Sequence, residues 1–181
     1  MNRTRRPTRS RRSYRGFTIV ELMVAVTIVG IILAFAIPSF SGVILSNKLA
    51  ANANSFIAST QLARSEAIKR NAVVRICRSA DGATCAGNGT FQQGWVVFHD
   101  ANNDGTLNSG ETVIQVQQAI SPDFHFTSDA YNIAFQGTGL GATAASLVLC
   151  RATPVGNQER VIRVEGVGRA SVTKTTNGVC P

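Results

Sequence analysis

The sequence predicts an α+β protein in which one long N-terminal helix, membrane-spanning in its first half, packs on an antiparallel β-sheet. Three observations lead to this prediction. Residues 17–37 are almost entirely apolar, and residues 44–68 then repeat apolar residues at three- and four-residue steps. From residue 72 onward, apolar and polar residues alternate in short runs separated by Gly, Asn and Asp, which is typical of strands.

The first 16 residues form a basic segment without any acidic residue, and they contain seven arginines, Arg3, Arg5, Arg6, Arg9, Arg11, Arg12 and Arg15. The other eleven of the 18 basic residues face all ten acidic residues, so the net charge of +8 belongs mostly to this segment. The basic composition of the whole chain is therefore no argument for nucleic-acid binding.

Residues 17–37 read FTIVELMVAVTIVGIILAFAI, a run long enough to cross the roughly 30 Å hydrocarbon layer of a membrane as a helix. The arginines before the run predict a cytoplasmic N-terminus, with everything after Pro38 on the other side of the membrane. A secretory signal peptide would have a shorter apolar region followed by a small-residue cleavage site, and no such site follows here. An ordinary anchor is the second alternative, but it leaves Glu21 unexplained.

Glu21 is the one charged residue of the apolar run. A carboxylate inside a membrane helix costs about 2.5–3.5 kcal/mol, so we expect it to have a partner.

The segment RGFTIVEL, residues 15–22, resembles the leader motif of type IV prepilins and of type II secretion pseudopilins. The resemblance implies that a prepilin peptidase removes residues 1–16 by cutting between Gly16 and Phe17, that Phe17 is N-methylated, and that Glu21 serves assembly. The implied cleavage would give Phe17 a free α-amino group, and this amine on a neighbouring subunit could pair with Glu21, so cleavage would be the condition for assembly. Gly30 and Pro38 fall at family positions where the helix bends or partly melts.

The helical periodicity predicts that the transmembrane helix of residues 17–37 continues over residues 38–71 and ends around Arg70. Residues 72–181 are predicted to form a β-rich, periplasmic segment. Its predicted strands cover residues 73–77, 94–98, 112–116, 124–126, 132–135, 146–150, 160–164 and 169–172.

The β-rich segment resembles the GspH/FimT group of minor pilins, which includes FimU-like members. The resemblance is carried by Val-Arg-Ile-Cys77, Cys85, Gly-Trp-Val-Val-Phe98, an Asp100-rich turn, Phe-x-Gly at 135–137, Leu-x-Leu-Cys150 and Gly168-Arg169. It implies disulfides between Cys77 and Cys85 and between Cys150 and Cys180. From the residues alone, four cysteines allow three pairings, and an oxidising compartment fits them better than zinc because no C-x-x-C pair occurs.

Residues 100–111, DANNDGTLNSGE, match the spacing of a calcium-binding loop. The predicted ligands are Asp100, Asn102, Asp104, Thr106 and Glu111. The flanking segments are predicted strands rather than helices, however, and a hairpin loop uses the same Asn, Asp and Gly residues. Calcium and a structural turn both remain open.

The C-terminal segment carries a surplus of cations, which raises the possibility of DNA binding through Arg160, Arg163, Arg169 and Lys174. Some FimT-like proteins bind DNA through a Gly-Arg-x-Arg motif, but here Gly168-Arg169-Ala170-Ser171 lacks the second arginine. Exposed charges on an edge strand also prevent aggregation, which is the alternative interpretation.

The residues and the resemblance together predict a minor pilin or pseudopilin that is incorporated into, or primes, a type IV pilus. The alternatives are a minor pseudopilin of a type II secretion system and a DNA-binding pilin of DNA uptake. The expected partners are other pilins or pseudopilins, the prepilin peptidase and the inner membrane. No catalytic motif was recognised, so an enzyme is not predicted.

Overall fold

A computed structural model describes residues 16–152, 158–175 and 180, and for residues 35–39 it describes the backbone alone. The leader segment before Gly16 therefore lies outside the described residues. One helix, α1, spans Ile19–Arg70. Lys69 and Arg70 lie in its last turn, where positive charges interact favourably with the negative end of the helix dipole. Asn71, directly after the helix, has a positive φ of 49°, as is common for the residue that ends a helix. The predicted end of the helix is confirmed.

Contacts divide the chain into two compact units, one ending at Val43 and the other beginning at Ile44. We call described residues 16–43 the stem and described residues 44–152, 158–175 and 180 the head. The second half of α1 thus belongs to the same unit as the strands.

The described head contains eight strands that form two antiparallel sheets. Sheet 1 has the order β3-β2-β1-β5 and sheet 2 the order β4-β6-β7-β8. The strands are β1 Val74–Arg78, β2 Trp95–His99, β3 Val113–Gln117, β4 Phe124–Ser128, β5 Asn132–Phe135, β6 Ala145–Arg151, β7 Glu159–Val164 and β8 Ala170–Thr175. The α+β class and the antiparallel pairing are confirmed, but the sequence analysis predicted one sheet where the structure has two.

The main core of the head joins one face of α1 to both sheets. Its centre is Phe56, whose ring lies 5.2 Å from that of Phe91 and 5.3 Å from those of Trp95 and Phe126. The Trp95 indole N–H donates a 3.0 Å hydrogen bond to the Ser59 hydroxyl, so the ring is buried without an unpaired donor. Aromatic packing therefore fixes α1 against the two sheets.

The opposite side of sheet 1 carries a second, smaller cluster of buried residues, Cys77, Val96 and Phe98. Cys85 and Leu107, which lie in two different loops, pack against this cluster. The loop that follows β1 and the acidic loop between β2 and β3 therefore cover the second face of the sheet.

Candidate processing and assembly site

The start of α1 is set by a local hydrogen bond. The Thr18 hydroxyl accepts a 3.2 Å hydrogen bond from the backbone N–H of Glu21, in a Thr-x-x-Glu pattern typical of helix N-termini. A carboxylate in the first turn is also favoured by the helix dipole. The Gly16–Phe17 bond thus lies in exposed, irregular chain just before the helix, which begins at Ile19.

Large apolar side chains of the stem are exposed from Phe17 to Leu33, with Phe17 itself 77% exposed. Within the described part of the chain, the Glu21 carboxylate has no hydrogen-bond or ion-pair partner. Exposed apolar surface of this extent marks contact with other proteins or with lipid. Among the described residues, no helix meets both the length and the hydropathy of a membrane span. The span predicted for residues 17–37 stays a prediction.

The two positions predicted to bend the helix lie within α1. A Cβ atom added at Gly30 would meet no atom within 4 Å, so nothing in the stem itself requires glycine there. The side chain of Pro38 lies outside the described residues. The bend therefore stays a prediction.

Two disulfides join Cys77 to Cys85 and Cys150 to Cys180, the pairing that the resemblance implies. Their Cα–Cα distances are 5.6 Å and 6.0 Å. The buried Glu159 carboxylate accepts hydrogen bonds from the backbone N–H of Cys180 at 3.3 Å and from the Thr175 hydroxyl at 3.1 Å. Cys180 is thus fastened to sheet 2 by a covalent and a polar contact.

The acidic loop that follows β2 is organised around Asp100, whose side chain is fully buried and pairs with the Arg75 guanidinium. Arg75 also donates to the side-chain oxygens of Asn103 at 2.7 Å and Asn132 at 3.2 Å. The Asp100 carboxylate also accepts a 3.0 Å hydrogen bond from the Gly105 N–H, which joins the start of the loop to its middle. The protein's own arginine therefore supplies a cation to this loop.

Arg75 was not among the site residues predicted from the sequence. The signal was present in β1, where strand alternation places Arg75 on the same face as Cys77, and therefore on the face that the acidic loop covers. The pair nevertheless spans 25 residues of sequence, and only the register of β1 on β2 brings the two side chains together.

The other predicted calcium ligands bond within the loop. Asp104 accepts hydrogen bonds at 2.8 Å from both the N–H and the hydroxyl of Thr106, and these bonds lower the pKa of Asp104 to about 2. Asn102 accepts from the N–H of Asp104, and Glu111 accepts from those of Ala101 and Asn108. The described residues contain no group of three or more His, Cys, Asp or Glu side chains placed to hold a metal ion. This geometry favours the hairpin-loop interpretation, and calcium binding stays a prediction.

The predicted DNA-binding cations do not form one surface. Arg160 is only 7% exposed and donates to the Ser46 carbonyl and hydroxyl of α1 and to the Glu159 carbonyl. This burial argues against contact between Arg160 and DNA. Lys174 lies opposite Arg160 across β7 and β8, whereas Arg163 lies opposite Ser171 and points to the other face. Arg169 pairs with Glu165 at 3.1 Å. The strand register thus separates the exposed cations.

Comparison with known proteins places this geometry among pilin-like subunits. Residues 52–168 match the family described as type II transport protein GspH, and residues 11–37 match the prokaryotic N-terminal methylation motif. A type IV major fimbrial protein FimA of Dichelobacter nodosus is 34% identical over 86 residues, which cover 48% of this chain and 46% of that protein. Another FimA of the same organism is 30% identical over 109 residues, covering 60% and 56%. The chain thus spans about half the length of the curated relatives it matches.

Solved structures share the fold. The type IV minor pilin FimU of Pseudomonas aeruginosa aligns with a TM-score of 0.53 and 16% identity over 69% of this chain and 92% of that one. The minor pseudopilin EpsH of the Vibrio cholerae type 2 secretion system aligns with a TM-score of 0.52 and 11% identity over 70% and 97%. At such identities the likeness concerns the fold.

Proposed function

Because the chain belongs to the pilin-like family of the type II transport protein GspH, we propose that it is a minor pilin that enters, or primes the assembly of, a type IV pilus. In this proposal the prepilin peptidase cuts between Gly16 and Phe17 and Phe17 is N-methylated. The stem anchors the subunit in the inner membrane, with a cytoplasmic N-terminus and a periplasmic head. The protein acts as a structural subunit and not as an enzyme.

One observation carries the proposal, namely the lone Glu21 carboxylate among the exposed apolar side chains of the stem. Outside water an uncompensated carboxylate is costly, whereas a carboxylate that meets an ammonium group is neutralised. The matching amine would be the N-terminus that cleavage creates at Phe17 of a neighbouring subunit. The Thr18 cap places Glu21 in the first turn of α1, and Phe17 lies just before the helix begins at Ile19. A small axial offset between two subunits could therefore bring the two groups together.

A second candidate is a minor pseudopilin of a type II secretion system. The description of the matching family favours this candidate, whereas the FimA relatives favour a pilus. Deleting the chain distinguishes the two, because a pilus subunit should affect surface filaments and a secretion subunit should affect the release of exported enzymes.

The proposal is tested with Glu21→Ala in the full chain, expressed in the organism that makes it. We expect the mature N-terminus to be N-methylated Phe17 in the wild type, as read by mass spectrometry of sheared filaments. Loss of the Glu21 pairing should reduce the amount of chain in filaments by roughly tenfold or more. Asp123→Ala is the matched control, because Asp123 is an exposed carboxylate of the head whose hydrogen-bond partner, Ser121, belongs to the same turn. A wild-type chain that retains Met1 in working filaments would overturn the proposal.

A further inference from the structure

Two turns of the head present apolar side chains at their tips, where polar residues are usual. Leu140 lies between Gly139 and Gly141 and is 68% exposed, and Val167 lies between Gly166 and Gly168 and is 54% exposed. Among the described residues of the head, these are the two most exposed large apolar side chains. A single exposed apolar residue needs no explanation, but two in adjacent turns do.

The two turns are held together by hydrogen bonds. Arg64 of α1 donates to the Gly139 carbonyl from Nη2 at 2.9 Å and from Nε at 3.2 Å, and its Nη1 lies 3.5 Å from the Gly168 carbonyl. The Ala142 N–H donates to the Gly166 carbonyl at 2.7 Å. The positions of the two tips are therefore fixed relative to α1, so little conformational entropy would be lost when they bind a partner.

Ile68, one helical turn beyond Arg64, completes the surface. Its side chain is 51% exposed and packs against Gly139, where an added Cβ would come within 2.9 Å of Ile68 Cδ1. We call Ile68, Leu140 and Val167 the turn patch. Glycine at 139 is thus required both by its positive φ of 72° and by the close approach of Ile68.

The surroundings of the turn patch are basic. Segments 64–70, 136–142 and 165–169 together hold four cations and two acids. The side chains of Lys69 and Arg169 are 76% and 71% exposed, and their ion pairs are with Glu66 and Glu165 of their own segments. Ion pairs whose cation is this exposed are weak, so a carboxylate of another molecule can replace the intramolecular partner at little cost.

From this charge distribution we infer that the turn patch docks a different pilin-like subunit, one that presents an apolar surface rimmed by carboxylates. A second copy bound through the same patch would bring two basic rims together, which is unfavourable. The inference rests on the proposed function and names one surface through which that function is carried out. It involves residues of the head alone, so its test can be separated from that of Glu21.

The test replaces Leu140 by the photoreactive residue p-benzoylphenylalanine in the full chain, in the organism that makes it. The control places the same residue at Val116 of β3 in sheet 1, another exposed apolar position of the head (42%) outside the turn patch. We expect irradiation of filaments to join position 140, and not position 116, to another subunit with an N-terminal methylation motif. Adding Val167→Glu should remove this adduct, whereas Val113→Glu should leave it.

With the chain present in filaments, three results would overturn the inference and leave the proposed function intact. They are an adduct with a second copy of the chain alone, an adduct with lipid alone, and equal adduct yields at positions 140 and 116. Absence of the wild-type chain from filaments would instead refute the proposed function. Circular dichroism of the Val167→Glu chain checks that its fold is retained, as expected for an exposed turn residue.

Discussion

The apolar side chains of α1 are exposed in the stem, whereas those that face the core of the head are buried. In the stem, Ile19 and Leu33 are exposed, although α1 runs through both units without interruption. In the head, Leu49, Ala53 and Phe56 of the same helix are fully buried. The head completes its own core, while the apolar surface of the stem is left for other molecules. Stability should therefore depend on head residues, and assembly on stem residues.

The largest effect on stability is expected from Phe56→Ala. This change removes the ring at the centre of the aromatic cluster and should lower the free energy of unfolding by about 3–5 kcal/mol. Denaturant unfolding of the full chain in detergent, followed by the fluorescence of Trp95, measures the loss.

The matched control for that change is Leu33→Ala in the stem. Leu33 is exposed, so its removal should leave the unfolding free energy of the head unchanged. If the two substitutions cost the head the same amount, the proposed division between a self-sufficient head and an unpartnered stem is wrong.

A comparable or slightly smaller effect is expected from Arg75→Met. The change leaves the fully buried Asp100 carboxylate without its cation, which typically costs about 3–5 kcal/mol. Adding Asp100→Asn removes the unpaired charge and should restore part of the loss, as read from the same denaturation curves. A double variant no more stable than Arg75→Met would show that the ion pair is not the source of the effect.

The smallest effect concerns Asp81, in the loop closed by the Cys77–Cys85 disulfide. Hydrogen bonds from the Ala83 N–H and from the hydroxyl and N–H of Thr84 hold the pKa of Asp81 well below its usual 3.8. A carboxyl whose pKa is lowered on folding stabilises the protein above its unfolded pKa and loses that contribution as the pH falls below it. Thermal melts of the wild type and Asp81→Asn should therefore differ at pH 7, and the difference should begin to shrink near pH 3.8 and decrease further as the pH falls towards the lowered pKa of folded Asp81. A difference that stays constant with pH would contradict this linkage.

Local patterns in the sequence were sufficient for the elements of the head. Alternation located the strands, and the dense helix formers located the end of α1 near Arg70. The glycine of the Phe-x-Gly motif, by contrast, is explained by a contact between distant segments, since a Cβ on Gly137 would come within 2.5 Å of the backbone at Asn71 and Ala72. Gly137 thus allows the chain after β5 to pass against the end of the helix.

Sequence patterns were insufficient where the position of a side chain or a strand depends on pairing between distant segments. Arg160 looked like a surface cation because β7 has apolar residues on both of its faces, so alternation could not show which face points inward. Only the register with β6 and β8 places Arg160 beside Ser46 of α1. The division of the strands into two sheets depends on the same non-local pairing. For the stem, the leader motif indicates processing, whereas among the described residues Glu21 makes no side-chain contact that would identify its partner.

The way in which Arg64 holds the two turns allows the residues at their tips to vary. Arg64 binds main-chain carbonyls, which every amino acid possesses, and it makes no demand on the side chains at 140 and 167. Those two positions can therefore change without loss of the framework that presents them. The head thus resembles a scaffold with exchangeable contact residues, on which partner choice could be altered independently of folding.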